Sequence, residues 1–123
     1  MLNADAKLNT KVLDADVEVA LMRDGFGTGV VEAGTKDARV VVLCADLADS
    51  TRAEWFQKKF PERYIEMGVA EQNMAAVASG MANYGKIPFI SSYATFSPGR
   101  NNEQIRTNIC INNVPVKIAG SHA

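Results

Sequence analysis

The chain has 123 residues, 47% of them hydrophobic, which is enough to form the core of one domain. Thirteen basic and fourteen acidic side chains leave a formal net charge of −1, so the chain lacks the positive excess that nucleic acids and anionic membrane surfaces attract. Residues 1–7 contain no secretory signal, and no apolar run approaches the length of about 18 residues expected of a membrane span. We therefore expect a cytoplasmic domain without a nucleic-acid or membrane partner.

The first third of the chain predicts one helix and one buried strand. Residues 1–16 are polar without sustained periodicity, so we expect an extended lead-in. Apolar residues, Val19 among them, recur at helical spacing from about 17 to 33, and Gly34 is placed to cap that helix. Residues 39–45 form a continuous apolar run, which is typical of a strand buried on both faces of a parallel sheet.

The middle of the chain predicts a helix, a short strand and a second helix. Thr51 and Glu54 have capping-box spacing, so a helix is expected to begin there and to end before Pro61. A strand over 64–66 leads into a helix over 70–84 that is rich in Ala, Ser and Gly. Such small side chains allow another backbone to approach closely, so we expect this helix to pack partly on another subunit.

The last third predicts a strand over 87–93, a loop, a helix capped by Asn101 or Asn102, and a strand over 114–119. Strands that alternate with helices indicate βαβ units and a parallel sheet. The predicted fold class is therefore α/β, an open and mainly parallel sheet with helices on both faces.

Polar residues follow the predicted strands. Parallel strands bring their carboxyl ends to one edge of the sheet, where open α/β sheets bind ligands. The residues expected to form this polar rim are Asp46, Ser50, Glu71, Thr95, Ser121 and His122. Glu71 also falls in the first turn of a helix, where the helix dipole favours a carboxylate. On position alone, a glutamate that only complements this dipole is the simpler interpretation.

One run of residues carries a family resemblance. Tyr64-Ile-Glu-Met-Gly-Val-Ala-Glu-Gln-Asn-Met-Ala75 resembles the signature of the pyrimidine-binding domain of transketolase-type thiamine diphosphate enzymes. Asp46-Leu47, Thr95-Phe96 and Ser121-His122 extend the match over most of the chain. The similarity is closest to the C-terminal subunit of a split-type transketolase. It implies the thiamine diphosphate-binding fold of the pyrimidine type for residues 17–123, incomplete (truncated) at the C-terminus.

The resemblance implies roles for residues around the cofactor. Glu71 matches the family's catalytic glutamate, which hydrogen-bonds to the N1′ nitrogen of the aminopyrimidine ring and so activates the cofactor. Phe96 matches the aromatic residue that packs on this ring, with an ordinary core or loop phenylalanine as the alternative. Asp46 matches an aspartate close to the cofactor. Gly99 lies where single-chain transketolases have a second aromatic residue, so the resemblance does not imply a second stacking contact at this position.

The resemblance also implies a substrate channel. Arg23, Ser50 and His122 match family positions that line the path of the sugar phosphates. Arginine can hold a phosphate through two hydrogen bonds, and histidine can bind sugar hydroxyls and relay protons. The alternatives are a solvated helix charge for Arg23 and a frayed chain end for His122.

The rest of the active site is expected on another chain. In this family Mg²⁺ holds the diphosphate against a Gly-Asp-Gly…Asn motif on a different domain, and no such stretch or metal-ligand spacing occurs here. Thiamine diphosphate is therefore expected to be shared with a diphosphate-binding transketolase subunit that holds Mg²⁺, in a homodimer or heterotetramer.

The function implied is that of a transketolase, active only with that partner, which transfers a two-carbon ketol unit between sugar phosphates in the pentose phosphate pathway. One alternative is a fragment of 1-deoxy-D-xylulose-5-phosphate synthase, although Arg23, Ser50 and the loop Pro98-Gly99-Arg100 favour transketolase. The other alternative is a non-catalytic dimerisation subunit. The intact Glu71 argues against it, because a scaffold has no use for that carboxylate.

Overall fold

Four parallel strands form the sheet in the computed structural model, which describes residues 7–123. The strands are β1 (Val40–Cys44), β2 (Tyr64–Glu66), β3 (Ile87–Tyr93) and β4 (Lys117–Ser121), in the spatial order β2-β1-β3-β4. Val42 of β1 lies opposite Tyr64 of β2 on one side and Phe89 of β3 on the other. Every residue of β1 is buried, as its continuous apolar sequence predicts for a central strand. The predicted open parallel sheet is confirmed.

Three helices cover one face of the sheet: α1 (Met22–Lys36), α2 (Ala48–Thr51) and α3 (Ala53–Lys59). Val30 of α1 and Phe56 of α3 are buried there against the side chains of β1. Gly34 allows α1 to approach α3 closely, because a Cβ at this position would collide with the ring of Phe56 and lie 3.0 Å from the ring of Phe60. This face therefore depends on the missing side chain of one glycine.

The opposite face is covered by α4 (Glu71–Asn83), α5 (Asn102–Gln104) and the π-helical segment Ile105–Cys110. Small alanines on the inner side of α4 bring this helix close to the sheet. The core on this face comprises Val41, Leu43, Ala45, Met74, Ala75, Ala78, Ile90, Ile105 and Ile109. Helices on both faces agree with the predicted α/β class.

The first helix and the last strand have other boundaries than the sequence predicts. The helix α1 begins at Met22 rather than near residue 17, and Val19 is 84% exposed before the helix starts. Gly34 is an interior residue of α1 rather than its cap. The fourth strand was predicted over 114–119 but spans Lys117–Ser121, because only these residues pair with β3.

The predicted capping box at Thr51 and Glu54 was wrong. Thr51 is the last residue of α2, and its hydroxyl donates a hydrogen bond of 2.8 Å to the carbonyl of Leu47. Arg52 then adopts a left-handed backbone conformation with φ of 65° and separates α2 from α3. The helix does end at Lys59, before Pro61, as predicted.

Part of the predicted lead-in over residues 1–16 lies outside the described residues, which begin at 7. Residues 7–16 contain turns but neither helix nor strand. Among the helices of residues 7–123, none has both the length and the apolar character needed to cross a lipid bilayer.

Candidate active site

The sheet topology brings the predicted site residues to one edge. The order of the strands reverses between β1 and β3, and open sheets bind ligands beyond the carboxyl ends of the strands at such a switch point. Asp46 follows β1, and a π-helical segment, Thr95–Arg100, follows β3 where the sequence predicted a loop. Because Ser97 within this segment has non-helical backbone angles, we call residues 94–100 the loop after β3. Glu71 and His122 come after β2 and β4 at the same edge. The edge is therefore where a ligand site is expected.

Glu71 is the first residue of α4, and it is only 3% exposed. The chain reaches it from β2 through a tight turn in which Gly68 has φ of 64°, a conformation that glycine adopts readily. Ala70, the N-cap, has no side chain that could accept hydrogen bonds from the free amides of the first turn. The carboxylate of Glu71 thus lies where the helix dipole stabilises negative charge, but a carboxylate so deeply buried also needs a partner.

Arg100 is that partner. Its Nη2 donates a hydrogen bond of 2.6 Å to Oε2 of Glu71. The same guanidinium lies over the ring of Phe96, with Cζ 4.8 Å from the ring centroid. The two charged side chains differ in burial, because that of Arg100 is 51% exposed. A cavity of about 410 Å³ opens between Arg100 and the first turn of α4.

Asn101 ties the loop after β3 to the first turn of α4. Its side chain is fully buried, and Nδ2 donates hydrogen bonds to the backbone oxygen of Glu71 at 3.0 Å and to the hydroxyl of Ser97 at 3.2 Å. Asn101 occupies the N-cap position of α5, one of the two predicted positions, but its side chain makes no capping hydrogen bond to that helix. Its Oδ1 is buried without a hydrogen-bond partner among residues 7–123.

A row of rings connects Phe96 with the end of β4. The ring of Tyr93 is nearly parallel to that of Phe96, with centroids 6.1 Å apart and 14° between the planes. The imidazole of His122 lies 4.3 Å from the ring of Tyr93. Gly120 permits this approach, because a Cβ there would lie 2.9 Å from the carbonyl oxygen of Ser97. His122 is therefore in contact with the site through Tyr93.

A larger cavity, of about 730 Å³, lies at the same edge beside the start of α1. Arg23 and His122 both line it, and Nη1 of Arg23 lies 3.5 Å from the backbone oxygen of Ser50. Ser91 of β3 also lines this cavity, and its buried hydroxyl has no hydrogen-bond partner in the described part of the chain. Two of the three residues predicted to bind substrate, Arg23 and His122, therefore line one cavity, separate from that of Glu71, whereas Ser50 does not line it and only its backbone oxygen contacts Arg23.

Asp46 is exposed and lines neither cavity. Its amide donates a hydrogen bond of 2.7 Å to Oε1 of Glu66, which also accepts one of 2.9 Å from the amide of Gly68. Oε2 of Glu66 accepts a hydrogen bond of 2.7 Å from the hydroxyl of Tyr64. Burial alone would raise the pKa of Glu66, but these hydrogen bonds outweigh it, so the pKa lies below its usual value. Glu66 thereby joins the end of β1 to the turn before Glu71.

Three residues of this edge were not predicted as site residues: Arg100, Ser91 and Glu66. The signal available for Arg100 was a cation in a loop at the same predicted edge as Glu71. For Ser91 it was a hydroxyl at the end of an apolar strand. Neither signal indicates a particular contact, and 29 residues separate Arg100 from Glu71 along the chain.

The fold and the edge site define an α/β ligand-binding domain. Comparison with known families is more specific: the model for the transketolase pyrimidine-binding domain matches residues 18–123. The chain therefore belongs to the transketolase pyrimidine-binding domain family, and the resemblance noted in the sequence is confirmed.

Relatives within this family are longer proteins. The putative transketolase C-terminal section of Methanocaldococcus jannaschii is 47% identical over 102 residues, which cover 83% of this chain and 32% of the relative. The 1-deoxy-D-xylulose-5-phosphate synthase of Halothermothrix orenii is 37% identical over 94 residues, which cover 76% of this chain and 15% of the relative. A solved structure described as a split gene transketolase, inactive beta4 tetramer, matches with a TM-score of 0.72 and 48% identity. That match covers 80% of this chain and 33% of the solved chain. The chain thus spans about a third or less of these relatives.

The residues around Glu71 fit one part of thiamine diphosphate, the cofactor that the family implies. A buried carboxylate, an aromatic ring that already carries a planar cation, and an adjacent cavity suit a planar ring with a nitrogen that shares a proton. The unpaired amide oxygen of Asn101 is a further buried acceptor on this loop. Among residues 7–123, no group of three or more His, Cys, Asp and Glu side chains is arranged to hold a metal ion.

Proposed function

We propose that this chain forms the aminopyrimidine-binding half of the active site of a thiamine diphosphate-dependent transketolase. The enzyme would transfer a two-carbon ketol unit between sugar phosphates. The observation that carries this proposal is Glu71, a carboxylate only 3% exposed, at a helix N-terminus, at the ligand-binding edge of a parallel sheet. Family membership supports it, because the family is defined by pyrimidine binding.

When bound, thiamine diphosphate would supply a nucleophilic thiazolium carbon and a ring able to accept an electron pair. Glu71 would hydrogen-bond through its carboxyl group to the pyrimidine ring nitrogen and share a proton with it. Because the side chain of Glu71 is buried, this hydrogen bond would act at a lower local dielectric than in solvent and would be stronger there. Phe96 packs on the face of the ring. Asp46 is exposed just after β1, at the edge where the strand order reverses between β1 and β3, and is proposed to contact the cofactor there.

The cavity beside α1 is proposed to bind the sugar phosphates. Arg23 is placed to hold a phosphate or a hydroxyl, with its guanidinium steadied by the backbone of Ser50. His122 is placed to bind sugar hydroxyls at the same cavity. The unpaired hydroxyl of Ser91 offers a further polar contact there. Ring contacts from His122 through Tyr93 to Phe96 connect this cavity with the cofactor residues.

The diphosphate and Mg²⁺ are proposed to be held by a partner subunit that carries the Gly-Asp-Gly…Asn motif. The outer face of α4 is proposed as part of the interface, in a homodimer or heterotetramer. Val77 and Gly80 are exposed on this face, and no atom lies within 4 Å of a Cβ built on Gly80. A glycine that nothing in the chain requires is consistent with a close contact from outside. A cytoplasmic location and a role in the pentose phosphate pathway complete the proposal.

The test uses the full-length protein that contains this chain, reconstituted with the diphosphate-binding subunit, thiamine diphosphate and Mg²⁺. Mass spectrometry follows the products formed from a ketose phosphate donor and an aldose phosphate acceptor. Products that have gained and lost two carbons support the proposal. Formation of 1-deoxy-D-xylulose 5-phosphate would instead identify a 1-deoxy-D-xylulose-5-phosphate synthase, the activity for which the relative from Halothermothrix orenii is named, at 37% identity. A complex that assembles but forms neither product identifies a non-catalytic subunit.

A further inference from the structure

We propose that Arg100 is a positioning residue that holds Glu71 and Phe96 through the same two contacts that the aminopyrimidine ring makes in the proposed function. The ring must displace Arg100 when it binds. The inference rests on the proposed function, because it concerns the same carboxylate. Its evidence is that one side chain makes both contacts: Nη2 donates to Oε2 of Glu71 at 2.6 Å, and Cζ lies 4.8 Å from the centroid of Phe96.

The guanidinium of Arg100 and the protonated ring have similar recognition chemistry. Each is planar, carries positive charge next to an N–H donor, and can lie on the face of an aromatic ring. A buried carboxylate and a neighbouring aromatic face therefore accept either group. In the structure Arg100 holds Oε2 of Glu71 and lies over Phe96, so the ring can take over these two contacts only when this side chain leaves.

Arg100 can leave while the loop keeps its backbone conformation. Its side chain is 51% exposed, so a path to solvent is open. The backbone on either side is held independently: the amide of Gly99 donates to the carbonyl of Ala94 at 2.9 Å, and the side chain of Asn101 donates to the backbone of Glu71 at 3.0 Å. Rotation of one side chain thus frees the carboxylate that borders the cavity of about 410 Å³.

The pair also stabilises the site before the ring arrives. An ionised carboxylate buried without a partner is strongly destabilised, and Arg100 supplies the compensating charge for Glu71. Gly99 adds a steric reason for the role of Arg100. A Cβ at Gly99 would lie 3.0 Å from the carbonyl oxygen of Ala94, so this loop has little room for the second aromatic residue of single-chain transketolases. Arg100 covers Phe96 in its place.

The test compares cofactor affinities in the reconstituted complex of the full-length protein and its diphosphate-binding subunit, purified without cofactor. Thiamine diphosphate is titrated by calorimetry at saturating Mg²⁺. If Arg100 is displaced in about a tenth of the molecules, the pair weakens apparent binding about tenfold. Arg100→Met removes the competing donor and charge, so it is expected to bind about three- to tenfold more tightly, with Arg100→Lys between it and the wild type. Exposed Arg106 provides the control, since Arg106→Met should bind like the wild type.

A purely structural role for Arg100 predicts the opposite sign, because a loosened Glu71 would bind the ring less well. Equal or weaker binding by Arg100→Met therefore overturns the inference while leaving the proposed function intact. If Arg100→Met does not fold, as judged by circular dichroism, Arg100→Lys decides the question by the same criterion. A folded wild-type complex that binds no thiamine diphosphate overturns the proposed function, and the inference with it.

Discussion

Replacing Glu71 by glutamine separates the shape of this side chain from its ability to move a proton. Glutamine occupies nearly the same volume, and its amide can still hydrogen-bond to the ring nitrogen. Its carbonyl oxygen can also accept the hydrogen bond that Arg100 gives to Glu71. What is lost is the uptake and return of a proton, together with the negative charge that pairs with Arg100. A change in chemistry without a change in binding would therefore report proton transfer by the carboxyl group.

The burial of Glu71 sets the size of the expected effect. At 3% exposure, water cannot replace the carboxyl group as a proton acceptor, so the whole contribution of general acid–base catalysis should disappear. Such contributions are about 10²–10⁴-fold in rate. At about 1.36 kcal/mol for each factor of ten, Glu71→Gln should raise the activation barrier by about 2.7–5.4 kcal/mol. The loss should appear in kcat more than in KM.

The direct assay is exchange of the acidic thiazolium proton of bound thiamine diphosphate with deuterated water, followed by NMR after acid quenching. Calorimetry first establishes that the variant complex still binds the cofactor. Glu103→Gln serves as the control, because Glu103 is an exposed carboxylate in α5 and should leave exchange unchanged. If Glu71→Gln exchanges the proton as fast as wild type, Glu71 only complements the dipole of α4, and the proposed function loses its central residue.

Three further predictions concern the scaffold. Gly80→Leu should break the assembly measured by sedimentation without changing the circular dichroism spectrum, because no atom of residues 7–123 lies within 4 Å of a Cβ at this position. Unchanged assembly would place the interface elsewhere. Gly34→Ala should lower the free energy of unfolding by about 1–3 kcal/mol, because the added methyl group collides with Phe56. Gly29→Ala in the same helix meets open space and should raise the free energy of unfolding by about 0.5–1 kcal/mol. Equal effects of the two substitutions in denaturant titrations would contradict the packing argument. Because the pKa of Glu66 is lowered in the folded protein, its ionised form stabilises the fold at pH values above the unfolded pKa of about 4.3. This stabilisation is lost as the pH falls through the folded pKa. The difference in melting temperature between wild type and Glu66→Gln should therefore shrink from pH 6 to about pH 3. A difference that does not depend on pH would show that the charge of Glu66 has no role.

The sheet was predictable because its strands are specified by local composition. The continuous apolar run of β1 indicates burial on both faces, and the alternation of strands and helices indicates parallel pairing. The errors arose where tertiary packing overrides a local pattern. Gly34 has the sequence context of a cap, but its role is to admit the ring of Phe56. Thr51 and Glu54 have the spacing of a capping box, but Thr51 ends α2. The left-handed conformation of Arg52 then separates α2 from α3, so Thr51 does not cap α3.

For the site, the sequence predicted its location at one edge of the sheet but not the contacts between its side chains. Sequence placed Glu71 at the start of a helix after a strand, and the structure has it there. Its burial and its pairing with Arg100 depend on how the loop after β3 folds back onto α4, which no periodicity encodes. Asn101 shows the same limit, because a residue with the local signature of a cap turns inward to bind the backbone of Glu71. The cofactor and substrate roles of these residues stay predictions.

The close approach of β4 to the loop after β3 limits how this domain can change during evolution. Gly120 lies so near Ser97 that a larger residue at position 120 does not fit without moving either the loop or the end of β4. His122 is carried on that end, while Phe96 and Arg100 are carried on the loop. An insertion selected to admit a larger molecule on one side would therefore shift the groups on the other. New specificity is more easily gained from the start of α1, where Arg23 can vary without disturbing this junction.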